Sequence, residues 1–196
     1  RSISMSRKNF QGCVPPSGKT GYQEKELHQS FANGVKKCHE YIIKFQPHRT
    51  LEHVALLSSK VNKYIDTCKP WELTKEETDR ERLGTVLYTA LDMSRIIVGL
   101  LDPVMPKKMC EARENLGLGQ DIIPFSSLSP GLLVSGTELP IPSPLFPKIQ
   151  FSTTDLVNVK NQQSENSLNN SETEEIKWIA LNDFQKMELK VGHIKS

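Results

Sequence analysis

Apolar residues return at steps of three and four through three long stretches of this chain, and a proline stands just past the end of each. Helices that stop at those prolines and share one core satisfy both patterns. In residues 24–45 the apolar positions are Leu27, Phe31, Val35, Cys38, Ile42 and Phe45, one helical stripe that ends before Pro47. Thr50 is placed to cap a second helix, with Val54, Leu57, Val61, Ile65 and Cys68 on one side, closed where Lys69 meets Pro70. Thr74 and Glu77 have the spacing of a capping box. The helix after them carries Leu83, Leu87, Ala90, Ile97 and Leu101 on one face, with Val86, Met93, Ile96 and Leu100 beside it, until Asp102-Pro103. So broad an apolar surface predicts the central helix. A shorter helix opens at Pro106, runs through Met109, Ala112 and Leu116, and is capped by Gly117. Arg1 to Phe10 reads as the end of a helix that begins upstream, stopped by Gly12 and Pro15-Pro16. The expected fold is all-α, a helical bundle over residues 1–125.

The remainder is different in kind. Six prolines fall between Pro124 and Pro147, which predicts an extended strap over residues 126–152, packed on the bundle through Leu132, Leu133, Leu145 and Phe146. Residues 153–175 hold Asn161-Gln162-Gln163-Ser164 and Asn169-Asn170-Ser171 without apolar periodicity, the composition of a flexible linker. From 176 to 196, Trp178-Ile179-Ala180-Leu181 and the alternation of Met187, Leu189 and Val191 with Glu188 and Lys190 read as the start of a truncated β domain.

Charge is uneven along the chain: 12 Lys and Arg stand against 5 Asp and Glu in residues 1–70, and 13 against 18 in residues 71–196. The first part favours a polyanion, although a basic face is often only a solvated one. The four cysteines are isolated and the five histidines form no ligand pair, so neither a zinc site nor a disulfide framework is indicated; a reducing cytoplasm fits. No apolar run reaches the roughly 20 residues of a membrane span. Gly18-Lys19-Thr20 resembles a phosphate loop, but Gly12 is one residue too far away, and Pro15 and Pro16 remove N–H groups that a phosphate cradle uses. Chemistry alone points to no catalytic residue.

The most specific stretch is Val61-Asn62-Lys63-Tyr64-Ile65-Asp66-Thr67-Cys68-Lys69-Pro70-Trp71. It resembles the Asn-x-Tyr-(Ile/Val)-Asp-x-x-x-Pro-Trp signature of the anticodon-binding domain of methionyl-tRNA synthetases, a class I synthetase domain. The opening Arg1-Ser2-Ile3-Ser4-Met5 with Phe10 and Gly12, the corner Leu101 to Pro106, and the strap from Gly136 to Pro147 extend the likeness over residues 1–150. Asn182 to Gly192 is similar to the start of the oligonucleotide-binding-fold domain appended to many such enzymes.

The resemblance implies that Trp71 stacks on an anticodon base, with Asn62, Asp66 and Arg1 around it. An Asn four residues before that Arg belongs to the same family pattern and precedes the first residue here. On the residues alone, Trp71 reads first as a plug between helices, as single Trp residues usually are, and Asn62 and Asp66 as local hydrogen-bonding groups. Lys63 and Lys69 are candidates for the tRNA backbone. The implied role is anticodon recognition of methionine tRNA, initiator and elongator, within a ligase that uses ATP. The catalytic domain, with ATP and magnesium or zinc, is expected upstream, leaving this chain inactive alone and without a cofactor of its own. No membrane is implied, and the C-terminal domain would permit a homodimer in a longer protein. Another class I synthetase, or a free-standing helical interaction module, are the alternatives.

Overall fold

The structure, a computed structural model, describes residues 1–75 and 77–147. The expected linker at 153–175 and the expected β segment at 176–196 lie outside them. Six helices follow in order: α1 (Ser2–Asn9), α2 (Tyr22–Ile43), α3 (Pro47–Cys68), the single turn α4 (Pro70–Leu73), α5 (Arg80–Leu101) and α6 (Pro106–Asn115). No strand occurs among the described residues, which is the helical architecture that the apolar spacing predicts.

α2 and α3 form an antiparallel hairpin whose apolar stripes meet one face of α5. Leu27, Phe31, Val35, Cys38, Val54, Leu57 and Val61 are buried there against Val86, Ala90, Met93 and Ile96. Each such side chain removed from water contributes about 1.5 to 3 kcal/mol before chain entropy is counted. The opposite face of α5, with Tyr88, Leu91 and Val98, packs on Met109, Ala112 and Leu116 from α6 and on Ile3 from α1. α5 is therefore covered on both sides. At 22 residues it is long and apolar enough on average to reach across a bilayer, but charged residues interrupt it and 83% of its most apolar window is enclosed by protein.

Three expectations fail at helix ends. α2 stops at Ile43 because Phe45 takes a positive φ of 53°, which turns the chain back; Ile42 and Phe45 leave the stripe and are exposed, Phe45 to 92%. α3 begins at Pro47, whose missing N–H is harmless in a first turn, so Thr50 is not a cap but a buried residue whose hydroxyl has no partner. Thr74 Oγ1 donates backward to Trp71 O at 2.9 Å, and α5 starts only at Arg80.

Beyond α6 the chain runs extended over the bundle. Leu128 enters the first core, and Leu133 and Leu139 enter the second. Leu132 and Phe146, expected to pack, are 53% and 67% exposed instead. Leu139 N–H donates to Gly12 O at 2.7 Å and Val14 N–H to Thr137 O at 2.8 Å, stitching this segment to the turn after α1. Buried Asp92 of α5 accepts from the N–H groups of Gly131 and Leu133, while Arg95 Nη1 and Nη2 donate to the carbonyls of Ser127 and Ser129.

Gly117 caps α6 with φ +71°, and a Cβ there would come within 2.1 Å of Glu138 O. Gly117→Ala is expected to destabilise by roughly 2 kcal/mol or more, from positive-φ strain and displacement of the strap, readable in a urea melt.

Candidate nucleic-acid interface

The corner after α3 is set by Pro70. Its ring disfavours helical geometry at the residue before it, so α3 ends at Cys68 and Lys69 adopts a left-handed conformation, φ 45° and ψ 59°. Lys69 N–H returns to Ile65 O at 2.9 Å, and Glu72 N–H reaches Lys69 O at 2.8 Å, closing both sides of the turn. Pro70 is buried, which anchors the corner, whereas Trp71 is 43% exposed and presents part of its indole to solvent.

Asn62 and Asp66 lie four residues apart on the exposed side of α3, one turn above the other, in the turns leading to that corner. Neither side chain hydrogen-bonds or ion-pairs with another described residue, so their polar atoms face water. Lys63 is exposed on the same helix, and Lys69 Nζ pairs with Glu72 Oε1 at 3.3 Å in a solvent-exposed contact. Arg1 occupies the N-terminal end of α1, and no hydrogen bond or ion pair joins its side chain to the other three. α1 meets the start of α5 at its opposite end, where Arg80 Nη2 donates to Asn9 O at 3.3 Å and stands over the Phe10 ring. Arg1 is about 13 Å along α1 from there, at 1.5 Å per residue. The structure thus places Asn62 and Asp66 on the last turns of α3, Trp71 just past the turn in α4, and Arg1 at the start of α1.

Beneath the corner lies a polar knot that the sequence reading did not single out. Glu24 is fully buried at the start of α2, where its Oε2 accepts Gly21 N–H at 2.7 Å as half of a capping box. Its Oε1 accepts from Tyr64 OH at 2.6 Å and from Arg82 Nη2 at 2.9 Å. Arg82 also approaches Cys68 Sγ, at 3.6 Å. Burial pushes the Glu24 carboxyl up, but donation from Arg82, Tyr64 and Gly21 outweighs it and holds the group below its ordinary value. Burial and the bond to Glu24 push the Tyr64 phenol up. Three helices are thereby tied within the last turns before Trp71. Two clues were present: Glu24 continues the apolar stripe of Leu27 and Phe31, and Tyr64 is the tyrosine of the motif.

No group of three or more His, Cys, Asp or Glu able to hold a metal occurs among the described residues. The exposed ring, the amide and the carboxylate can stack on and hydrogen-bond an unpaired base; they form no acid–base or nucleophilic set.

The family described as the anticodon binding domain of methionyl tRNA ligase matches residues 14–164. A methionine–tRNA ligase of Caldanaerobacter subterraneus subsp. tengcongensis is 34% identical over 99% of this chain and 30% of its own length. One from Enterococcus faecalis is 31% identical over 99% of this chain and 31% of its own length. The ligand-free methionyl-tRNA synthetase of Mycobacterium tuberculosis superposes with a TM-score of 0.72 at 31% identity, covering 78% of this chain and 31% of that one. The chain spans about 30% of the length of the curated relatives it matches.

Proposed function

This chain belongs to the family of methionyl-tRNA ligase anticodon-binding domains, and from that premise we propose that it reads the anticodon of methionine tRNA, initiator and elongator alike, through Trp71. The observation that carries the reading is the half-exposed indole at a corner fixed by Pro70, just past the helix whose last turns expose Asn62 and Asp66. A ring held by backbone geometry loses little freedom when a base stacks on it, and such stacking is worth about 1 to 3 kcal/mol. Asn62 supplies a donor and an acceptor for a base edge. Asp66, which repels phosphate, orients a neighbouring donor or receives a base N–H. Arg1, at the start of α1, supplies a guanidinium to the same contact from a second helix.

In this reading the longer ligase attaches methionine to the tRNA with ATP, and ATP and any metal act outside these 196 residues. The Mycobacterium tuberculosis relative has been solved with methionyl-adenylate, which supports methionine activation in such proteins.

Trp71→Ala is expected to weaken binding of methionine tRNA by about 1 to 3 kcal/mol, and to change binding of an anticodon-altered tRNA little, because that tRNA is held through phosphates. Since the indole is 43% exposed, the melting curve should shift only slightly. Filter binding of both tRNAs, with circular dichroism melts of the same protein, reads this out. A large loss of stability with the anticodon preference intact would make Trp71 a packing residue and overturn the assignment.

A further inference from the structure

The seam between α2 and α3 is open on its solvent side as two adjoining grooves, about 320 and 490 Å³, which share Ser30, Lys60 and Lys63. One reaches Tyr64 and Thr67 near the end of α3, and the other reaches Lys37 and His53. Glu26 is the carboxylate on their lining, against the three lysines. None of those lysines forms an ion pair among the described residues. Lys60 Nζ lies 3.0 Å from Ser30 Oγ, so it is held across the seam by a neutral partner. His53 is made less basic by burial and then by the nearby charges of Lys37 and Lys60.

We propose that this groove is a second RNA contact, a phosphate track for the strand whose base is held at the Trp71 corner. The inference rests on the RNA-binding reading above and extends it along α3. From Thr67 back to His53 the helix advances about 21 Å, room for several consecutive phosphates. The Ser30 hydroxyl and the Asn33 amide stand among the lysines, a mixture suited to phosphate oxygens. An acidic peptide would meet the same charges. The groove, however, ends at Thr67, in the last turn of α3 and four residues before Trp71, so its lysines run along the helix that leads to the corner where a base would stack.

The test uses the whole chain with a methionine tRNA transcript and the same transcript carrying an altered anticodon. Lys37→Gln combined with Lys60→Gln should weaken both tRNAs by the same factor and preserve their ratio. The slope of log K against log salt should become shallower by roughly two, about one per lysine. Lys107→Gln on α6, across α5 from the groove, removes a single charge outside it and should leave the slope unchanged, where either groove lysine alone should lower it by about one. Both changes are at exposed side chains, so melting curves should match the parent. Unchanged affinity and slope in the double variant, with the parent still preferring the methionine anticodon, would overturn the groove and spare the anticodon reading. An absent preference in the parent, with a slope still set by the lysines, would do the reverse. If a polyglutamate peptide binds the parent but not the double variant while tRNA binding is equal in both, the groove belongs to an acidic protein segment and the proposal fails.

Discussion

Asp92→Ala should remove about 3 to 5 kcal/mol of stability. Asp92 and Arg95 sit inside the central helix with side chains 0% and 5% exposed, joined at 3.0 Å. Truncating the carboxylate leaves the guanidinium buried without its counter-charge and strands the N–H groups of Gly131 and Leu133. Breaking one partner of a buried pair costs more than the pair contributes, because the survivor cannot regain water. Urea denaturation should show a lower midpoint. Proteolysis should show cleavage near residues 127–133 ahead of the helices, since the strap loses its polar anchors before α5 loses its apolar ones. A variant with parental stability and an uncut strap would show that Leu128, Leu133 and Leu139 hold the segment alone. Asp92→Leu with Arg95→Met should recover much of the loss, an outcome that separates an unpaired charge from lost packing.

Glu24→Ala is expected to cost about 3 kcal/mol, the lower end of the same range, because the Arg82 side chain is 37% exposed and can reach solvent when its partner goes. This loss has a pH signature. The folded Glu24 carboxyl titrates below its ordinary value of 4.5, so the stabilisation is fully present above that value and disappears as pH falls through the lower folded one. The parent should therefore lose stability on acidification over that interval more steeply than Glu24→Gln, which has no charge to protonate. Parallel pH profiles would refute the assignment. Because Tyr64 and Cys68 lie in the last two turns before the corner, the variant should also narrow the preference between tRNAs while leaving the phosphate-driven salt slope in place.

The helices were legible because Leu27, Phe31, Val35 and Cys38 repeat with the helical period, and the same holds for Val54, Leu57 and Val61. Their ends were less so. Ile42 and Phe45 continue the period past the point where a positive φ at Phe45 turns the chain, and spacing carries no information about that torsion. Trp71, Asn62 and Asp66 were singled out by a motif, not by periodicity, and the motif's tyrosine concealed its own reason. Tyr64 meets Glu24, which is forty residues away, and no local pattern announces such a partner. Asp92 and Arg95 were invisible for a related cause. Their partners beyond each other are backbone N–H and carbonyl groups of Ser127, Ser129, Gly131 and Leu133, and a backbone group has no letter in the sequence.

The strap also sets an order of events during synthesis. When α5 leaves the ribosome, Asp92 and Arg95 emerge on an apolar helix with each other but without the carbonyl and amide groups that complete their shell. Those arrive with residues 127–133, some thirty to forty residues later, a delay of a few seconds at about 5 to 20 residues per second. Until then the nascent bundle leaves the strap's share of that face of α5 open: Leu133 and Leu139 are missing from the core around Tyr88, and the Tyr88 hydroxyl has no Leu133 carbonyl to donate to. A ribosome stalled before residue 127 should hold a chain that chaperones bind and proteases cut; one stalled far enough beyond residue 139 for the strap to have cleared the exit tunnel should hold a closed bundle.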